Sequence, residues 1–241
     1  MSAGGLDRKG EPVGAGPRGA RVAFGLLFAV VFLLGGIGGA VRYWTRDRSY
    51  VARFAAEQRI DKRAFHFPSG DRPVPPEQLL AIDADLRAYV LCACGERLDY
   101  RIEGEPFFNE RERAHLRDVA RVFLSLEWLT YLAPVLAAAL ALAGLFLAPR
   151  IVRRVALGEA IAFVIVAIVA ALAFAPAFLL FHEVFFPQGN FLFDPTRDNL
   201  VLLYPEEYWL GVTLRIGATF ISVALLFAVL ASIPIRFGAT E

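Results

Sequence analysis

Four long uncharged stretches constrain the fold of this chain more than any other feature. Each has about 20 residues without Asp, Glu, Lys, Arg or His, and they occupy 22–41, 129–148, 160–181 and 216–235. A helix of that length crosses the apolar core of a bilayer, which is about 30 Å thick. The chain is 57% hydrophobic and only 20% charged, which argues against an ordinary soluble domain. We therefore predict an all-α integral membrane protein with four transmembrane helices.

Positive charge predicts the orientation of these spans. Basic residues lie before the first stretch and between the second and third: Arg8, Lys9, Arg18, Arg21, Arg150, Arg153 and Arg154. The connection after the third stretch instead holds five acidic residues and one arginine over 182–209. Short loops rich in Lys and Arg remain in the cytoplasm. We expect both termini to be cytoplasmic, in a protein of the cell (cytoplasmic) membrane.

The spans divide the chain into nine segments. They are a disordered cytoplasmic N-terminus (1–21), a first span (22–41), an extracytoplasmic domain (42–128), a second span (129–148), a cytoplasmic loop (149–159), a third span (160–181), an extracytoplasmic loop with the start of the last helix (182–215), a fourth span (216–235) and a cytoplasmic C-terminus (236–241). Helical periodicity over 77–91 predicts that the extracytoplasmic domain is mainly helical.

Composition excludes several kinds of protein. A net charge of +1 gives no basic surface for a nucleic acid. Two cysteines and three histidines are too few for a zinc ribbon or a disulfide framework. Cys92 and Cys94 are one residue apart, so a bridge between them would close a strained ring, and we expect free thiols. We expect no metal and no cofactor.

The first candidate site lies just before the second span. Asn109 and Glu112 have the spacing of a capping box that begins a helix. Glu112, His115 and Asp118 follow at intervals of three, so they share one face of that helix. A carboxylate beside an imidazole can orient the ring for general-base catalysis. The alternative is an ordinary charged helix surface with a solvated histidine.

The second candidate site begins where the third span ends, at His182 and Glu183. An ionisable side chain at that depth is costly unless it is paired or used. Further polar residues follow in the same connection: Asn190, Asp194, Asp198, Tyr204 and Glu206. The helix with His115 leads into the second span, so we expect His115 and His182 to converge at the outer membrane surface. His66 lies in a proline-rich linker and is expected to lie outside the site.

These residues resemble a known family, the lipoprotein intramolecular transacylases (Lit) of bacterial membranes. The motif E-x-x-H-x-x-D-V occupies 112–119. The later motifs H-x-x-x-F, D-P-x-x-D-x-L and P-E are matched by His182 with Phe186, Asp194-Pro195 with Asp198 and Leu200, and Pro205-Glu206. The resemblance covers roughly 22–235. It departs from the family at Phe191 and Phe193, where a tryptophan near Asn190 is expected, and at Cys92-Ala93-Cys94.

The resemblance implies an intramolecular acyltransferase. The sn-2 acyl chain of a lipoprotein's diacylglyceryl group would move to the α-amino group of its N-terminal cysteine. In this interpretation His182 is the base, and His115 stabilises the oxyanion and protonates the leaving oxygen, although the two roles could be reversed. Glu112 or Asp118 would orient His115. The expected partners are a diacylglyceryl lipoprotein and membrane lipids, without nucleic acid, and the protein is expected to be a monomer.

Other functional classes remain as alternatives. A small transporter or channel is disfavoured because the spans show no buried charge and no paired broken helices. A haem or quinone oxidoreductase would need histidines that face each other inside the bundle. A metal-dependent hydrolase would lose activity with a chelator. A non-enzymatic membrane assembly factor would tolerate the loss of both histidines.

Overall fold

The structure is a computed structural model that describes residues 17–92 and 98–234. Nine α-helices occur in these residues: α1 (Pro17–Trp44), α2 (Arg48–Glu57), α3 (Pro76–Cys92), α4 (Glu110–Ser125), α5 (Glu127–Leu147), α6 (Pro149–Leu172), α7 (Phe174–Phe185), α8 (Asn199–Leu203) and α9 (Glu206–Leu230). A 3-10 helix spans Ile60–Lys62. Strands β1 (Arg101–Ile102) and β2 (Glu105–Pro106) pair as a small antiparallel hairpin.

Four helical segments of the described chain are long and apolar enough to cross a membrane. They are α1, α5, α6 and α9. One of the segments also includes α4, but α4 has seven charged residues over 110–121, so the membrane-spanning part is α5. The prediction of an all-helical chain with four candidate spans is confirmed.

The third span differs from its predicted form. Helix α6 begins at Pro149, so residues 149–159, predicted as a loop, are its first turns. Proline is well suited to this first helical position because its missing N–H would have no partner there. The helix stops at Leu172, and α7 begins two residues later. Pro176 cannot donate to the carbonyl of Leu172 and its ring would clash with that carbonyl. The predicted span 160–181 therefore contains a break at Ala173.

The start of α1 also differs from the prediction, while that of α9 does not. Residues 17–21 belong to α1 rather than to a disordered N-terminus, and α9 begins at Glu206, within the segment 182–215 that is predicted to include the start of the last helix. The predicted spans followed hydrophobicity, whereas a helix continues through charged residues that reach water. The N-terminal residues 1–16 and the C-terminal residues 235–241 lie outside the described chain.

Two hydrophobic cores organise the molecule. The bundle core joins α1, α5, α6 and α9 through Phe28, Phe32, Val152, Phe220 and several alanines. The second core belongs to what we call the interspan domain, residues 48–125, and includes Ile60, Phe65, Val74, Ile82 and Phe107. Helix α9 contributes Tyr208 to the second core and Phe220 to the first. The interspan domain therefore packs at the end of the bundle where α9 begins.

A buried polar network holds this junction together. Arg87 Nε donates to both oxygens of Asp83, at 2.9 and 2.8 Å, and its Nη1 donates to the carbonyl of Thr45 at 2.6 Å. Tyr204 Oη donates to Asp83 at 2.7 Å. Removal of one partner would leave another buried polar group unpaired, which is costly. The network fixes α3 against the end of α1 and the segment before α9.

Candidate active site

A capping box positions the first histidine. The backbone N–H of Glu112 donates to Asn109 Oδ1 at 3.0 Å, and that of Asn109 donates to Glu112 Oε2 at 2.7 Å. These two bonds satisfy N–H groups at the start of α4. His115 follows one turn later and is buried, with 5% of its surface exposed. The sequence prediction of a capped helix here agrees with the structure.

Glu112 itself does not bond to His115. Its second carboxylate oxygen accepts from the backbone N–H of Leu200 at 2.5 Å, which ties α4 to α8. Burial raises the pKa of Glu112 to about 7, although the N–H groups of Leu200 and Asn109 oppose the shift. Glu112 therefore does not orient His115 directly, because both of its carboxylate oxygens accept from backbone N–H groups.

The structure brings His115 and His182 together. Their ring centroids are 5.9 Å apart and the ring planes differ by 26°. His115 comes from α4, whereas His182 lies in the last turn of α7. Aromatic side chains surround the pair: Phe178, Phe181, Phe186, Phe191 and Phe193. Two titratable rings thus share a largely apolar pocket.

The hydrogen bond of His182 determines which of its nitrogens is free. Its Nδ1 lies 2.7 Å from the carbonyl oxygen of Phe178. A carbonyl can only accept, so Nδ1 carries the proton and Nε2 of the neutral ring holds a lone pair. Burial lowers the pKa of His182, while the bond to Phe178 opposes the shift. Helix α7 has 12 residues and is too short to span a bilayer.

His115 is held still more firmly in its neutral form. Burial, followed by the proximity of His182, lowers the pKa of His115 to about 4, and the side chains of Asn190 and Asp118 oppose the shift. Its Nδ1 is buried without a hydrogen-bond partner among the described residues. Near pH 7 both rings are therefore neutral, and each can accept a proton or donate an N–H hydrogen bond.

Asp118 reaches the histidine pair through Asn190. Asn190 Nδ2 donates to Asp118 Oδ2 at 2.7 Å, and Gln188 Nε2 donates to the same oxygen at 2.7 Å. Arg121 pairs with the other oxygen of Asp118. The carboxylate thereby fixes the amide nitrogen of Asn190, whose side chain interacts with His115. Sequence reasoning missed Gln188, for which the only signal was its place two residues before Asn190.

The two aspartates of the D-P-x-x-D motif shape the loop. Asp198 is 1% exposed. It accepts from Asn109 Nδ2 at 2.8 Å and from the backbone N–H of Asp194 at 2.7 Å. Asp194 accepts from the N–H and hydroxyl of Thr196 at 2.9 and 2.7 Å. Both residues therefore fold the connection that carries Phe191 and Phe193, and neither bonds to a histidine.

The remaining residues of the predicted site lie elsewhere. Tyr204 belongs to the buried network with Asp83. Glu183, on α7, and Glu206, in the first turn of α9, are exposed. The structure therefore does not bring these three side chains into contact with the histidine pair.

His66 and Asn199 are functional candidates that sequence reasoning missed. His66 Nε2 lies 2.9 Å from the carbonyl of Pro195, and its Nδ1 lies 2.9 Å from Asp71. Asn199 is buried; it accepts from the backbone N–H of His66 at 2.8 Å and donates to the carbonyl of Phe107 at 2.6 Å. Sequence reasoning placed His66 outside the site; in the structure its ring holds, through Pro195, the loop that carries Phe191 and Phe193.

No group of His, Cys, Asp and Glu in the described part of the chain could hold a metal ion. Cys94 and the side chain of Cys92 lie outside the described residues, so the predicted free thiols stay a prediction.

Comparisons with known proteins identify similar proteins by sequence and by fold. A family model described as lipoprotein intramolecular transacylase Lit matches residues 27–209. The solved structure of the membrane-integral Lit of Bacillus cereus matches with a TM-score of 0.69 and 15% identity, covering 88% of this chain and 94% of that one. Structures of the same protein with a histidine changed to arginine or to alanine match with TM-scores of 0.65 at 15% identity, and cover 88% of this chain. The match covers 90% of the arginine variant and 92% of the alanine variant.

Among proteins of curated function, none matches the chain significantly. At 15% identity the solved structures establish the fold. The family model covers well over half of the sequence, and the chain therefore belongs to the lipoprotein intramolecular transacylase (Lit) family.

Proposed function

We propose that this protein transfers the sn-2 acyl chain of a diacylglyceryl lipoprotein to the α-amino group of the lipoprotein's N-terminal cysteine. The product is the N-acyl S-monoacylglyceryl (lyso) form. The observation that carries the proposal is the pairing of two neutral imidazoles, 5.9 Å apart, inside an aromatic pocket. The family membership supports the same class of reaction.

The amine of the substrate is the nucleophile in this mechanism. An α-amino group has a reference pKa of about 7.7–8.0, so much of it is protonated near pH 7. Loss of one proton to solvent gives the free amine, which attacks the ester carbonyl. His182 Nε2 accepts a second proton from the attacking nitrogen, since its Nδ1 is committed to Phe178. No nucleophilic side chain is needed, because the substrate supplies both reacting groups.

His115 serves the oxygen side of the reaction. With a pKa of about 4 it carries no extra proton near pH 7, so it stabilises the oxyanion by donating an N–H hydrogen bond. The proton that His182 accepted then passes to the glycerol oxygen as its bond to the acyl carbon breaks. One C–N bond forms and one C–O bond breaks, and no cofactor or metal takes part.

The surroundings of the pair suit this reaction. Asp118 acts through Asn190 to position His115, and Glu112 with Asp198 holds α4 against the loop. The phenylalanines exclude water and provide an apolar surface for the acyl chain. Glu183, Asp194, Tyr204 and Glu206 have structural or solvent-facing roles. One chain carries both histidines, so a monomer suffices.

The proposed site faces the extracytoplasmic side of the cytoplasmic membrane, and both termini face the cytoplasm. Support comes from charge: Arg150, Arg153 and Arg154 lie at the start of α6, at the end of the bundle away from the histidines. Basic residues of this kind mark the cytoplasmic end of a span. The interspan domain then lies outside.

The experiment is conversion of a synthetic diacylglyceryl peptide with a free amine, followed by mass spectrometry. The product has the same mass and a different fragmentation pattern. His115→Ala and His182→Ala should each lower turnover by about 10²–10⁴-fold, the usual contribution of general acid–base catalysis. Their combination should cost less than the product of the single losses, because the two rings act as a unit.

Lys62→Ala is the matched control, since Lys62 is exposed and pairs only with Asp61 among the described residues. It should convert substrate at the parent rate. Near-normal turnover by a folded double histidine variant would refute the mechanism and favour a non-enzymatic assembly factor.

A further inference from the structure

Three arginines form a basic cluster at the end of the bundle remote from the histidines. Arg150, Arg153 and Arg154 occupy the first turns of α6. Positions three and four apart lie on one helix face, so the three guanidinium groups project in similar directions. All three are exposed, and none forms an ion pair with a described residue. Their charge is therefore free to bind an anion.

These arginines line a cavity. It has a volume of about 350 Å³ and is bounded by the start of α6 and by Ala231 and Ser232, which follow α9. Helix α9 has 25 residues and so is roughly 37 Å long at 1.5 Å per residue. The cavity is thus nearly a membrane thickness away from the proposed catalytic pocket and cannot belong to it.

Apolar surface continues from the cavity along the bundle. Leu147, which precedes α6, is 84% exposed, and Ile161 on α6 and Val229 and Ile233 beside the cavity are also exposed. A free phosphate ion would use only the arginines. A lipid would use both parts, with its headgroup in the cavity and its acyl chains against the apolar side chains.

We propose that this cavity binds the phosphate of an anionic phospholipid headgroup. Arginine is suited to this ligand because its planar guanidinium donates two parallel hydrogen bonds to phosphate oxygens. Basic pockets between membrane helices commonly hold such headgroups. The lipid bridges the start of α6 and the end of α9, and so stabilises the bundle at the end that the interspan domain does not cover.

The test uses the purified full chain in detergent, with phosphatidylglycerol and phosphatidylcholine as probes in native mass spectrometry. The parent protein should retain phosphatidylglycerol in preference to phosphatidylcholine. Each basic residue near a membrane surface is worth a factor of about five in affinity. Arg153→Gln with Arg154→Gln should therefore weaken phosphatidylglycerol binding at least tenfold. Arg153→Lys with Arg154→Lys keeps the charge and should weaken phosphatidylglycerol binding only a few-fold. This second variant keeps the test decisive if the glutamine variant does not fold.

The matched control is Arg18→Gln with Arg21→Gln. These arginines are exposed at the start of α1, where Gly25 lies close to Ile151 of α6, so they share the same end of the bundle without lining the cavity. The control should bind phosphatidylglycerol like the parent. Equal losses in both glutamine pairs would indicate diffuse surface charge and overturn the proposal. Displacement of the lipid by millimolar inorganic phosphate would overturn it too, since it would identify a site for a soluble anion.

Discussion

Asn190 Nδ2 donates a hydrogen bond to Asp118 Oδ2 at 2.7 Å, which joins the loop after α7 to the helix that carries His115. The two residues are 72 positions apart in the chain. The side chain of Asn190 also interacts with His115 and opposes the lowering of the pKa of that ring. Asn190 is thus a positioning residue between a carboxylate and a proposed catalytic ring.

Asn190→Ala should lower kcat by about fivefold and leave KM within a factor of about two. The reason is that the lost hydrogen bond, worth about 1 kcal/mol, orients His115 and does not bind the acyl chain. Steady-state kinetics with the diacylglyceryl peptide measure both constants. Gln188→Ala is the control, because Gln188 bonds to the same oxygen of Asp118. An equal loss of kcat in the control would mean that Asn190 only holds the loop.

The convergence of the histidines could be predicted, while the contacts between them could not. The helix with His115 leads directly into an apolar stretch, and His182 ends another, so both had to lie near one membrane surface. The bond between Asn190 and Asp118 depends on how the loop folds back. The break at Ala173 follows from Pro176, yet apolar residues on both sides of it made the third span look continuous. The anchoring role of His66 needs a partner, Pro195, that lies 129 residues away.

Gly35→Ala should destabilise the bundle by about 1–3 kcal/mol, the usual cost of overpacking. A Cβ atom at Gly35 would lie 2.5 Å from both the carbonyl oxygen of Ala133 and the Cβ of Ala137. These atoms belong to the backbone and a short side chain of α5, so neither can move aside without separating the helices. Thermal unfolding in detergent measures the effect. Gly217→Ala is the control, since its Cβ would meet no atom within 4 Å, and it should unfold like the parent.

The pH dependence of catalysis follows from the lowered pKa values of both rings. A lowered pKa means that each histidine becomes neutral at a lower pH than a free imidazole, whose pKa is about 6.5. His182 is therefore already a base at pH 7, and kcat/KM should keep rising up to about pH 8 as the substrate amine loses its proton. In His182→Ala the acidic limb due to this base should disappear. A fall in kcat/KM between pH 6 and 8 would instead show that a protonated histidine is required.

His66→Ala should lower activity about three- to tenfold and make the loop over 190–198 more accessible to proteolysis. Both ring nitrogens of His66 face acceptors, the carbonyl of Pro195 and the carboxylate of Asp71. The bond to Pro195 raises the pKa of His66, with a smaller contribution from Asp71. The loop that this bond holds carries Asn190, Phe191 and Phe193, and so its release disturbs the catalytic pocket.

The anchor at His66 should also weaken as pH rises. A histidine with a raised pKa in the folded state stabilises the protein fully below its unfolded pKa of about 6.5, and this stabilisation is lost as pH increases through the folded value. The difference in unfolding temperature between the parent and His66→Ala should therefore be largest near pH 5.5 and smaller above pH 8. Asp71→Asn keeps the bond between His66 and Pro195 but removes the charge beside the ring. In that background, the loss of stability caused by His66→Ala should change less with pH than it does in the parent. A constant difference between pH 5.5 and 8.5 would mean that protonation of His66 plays no part in holding the loop.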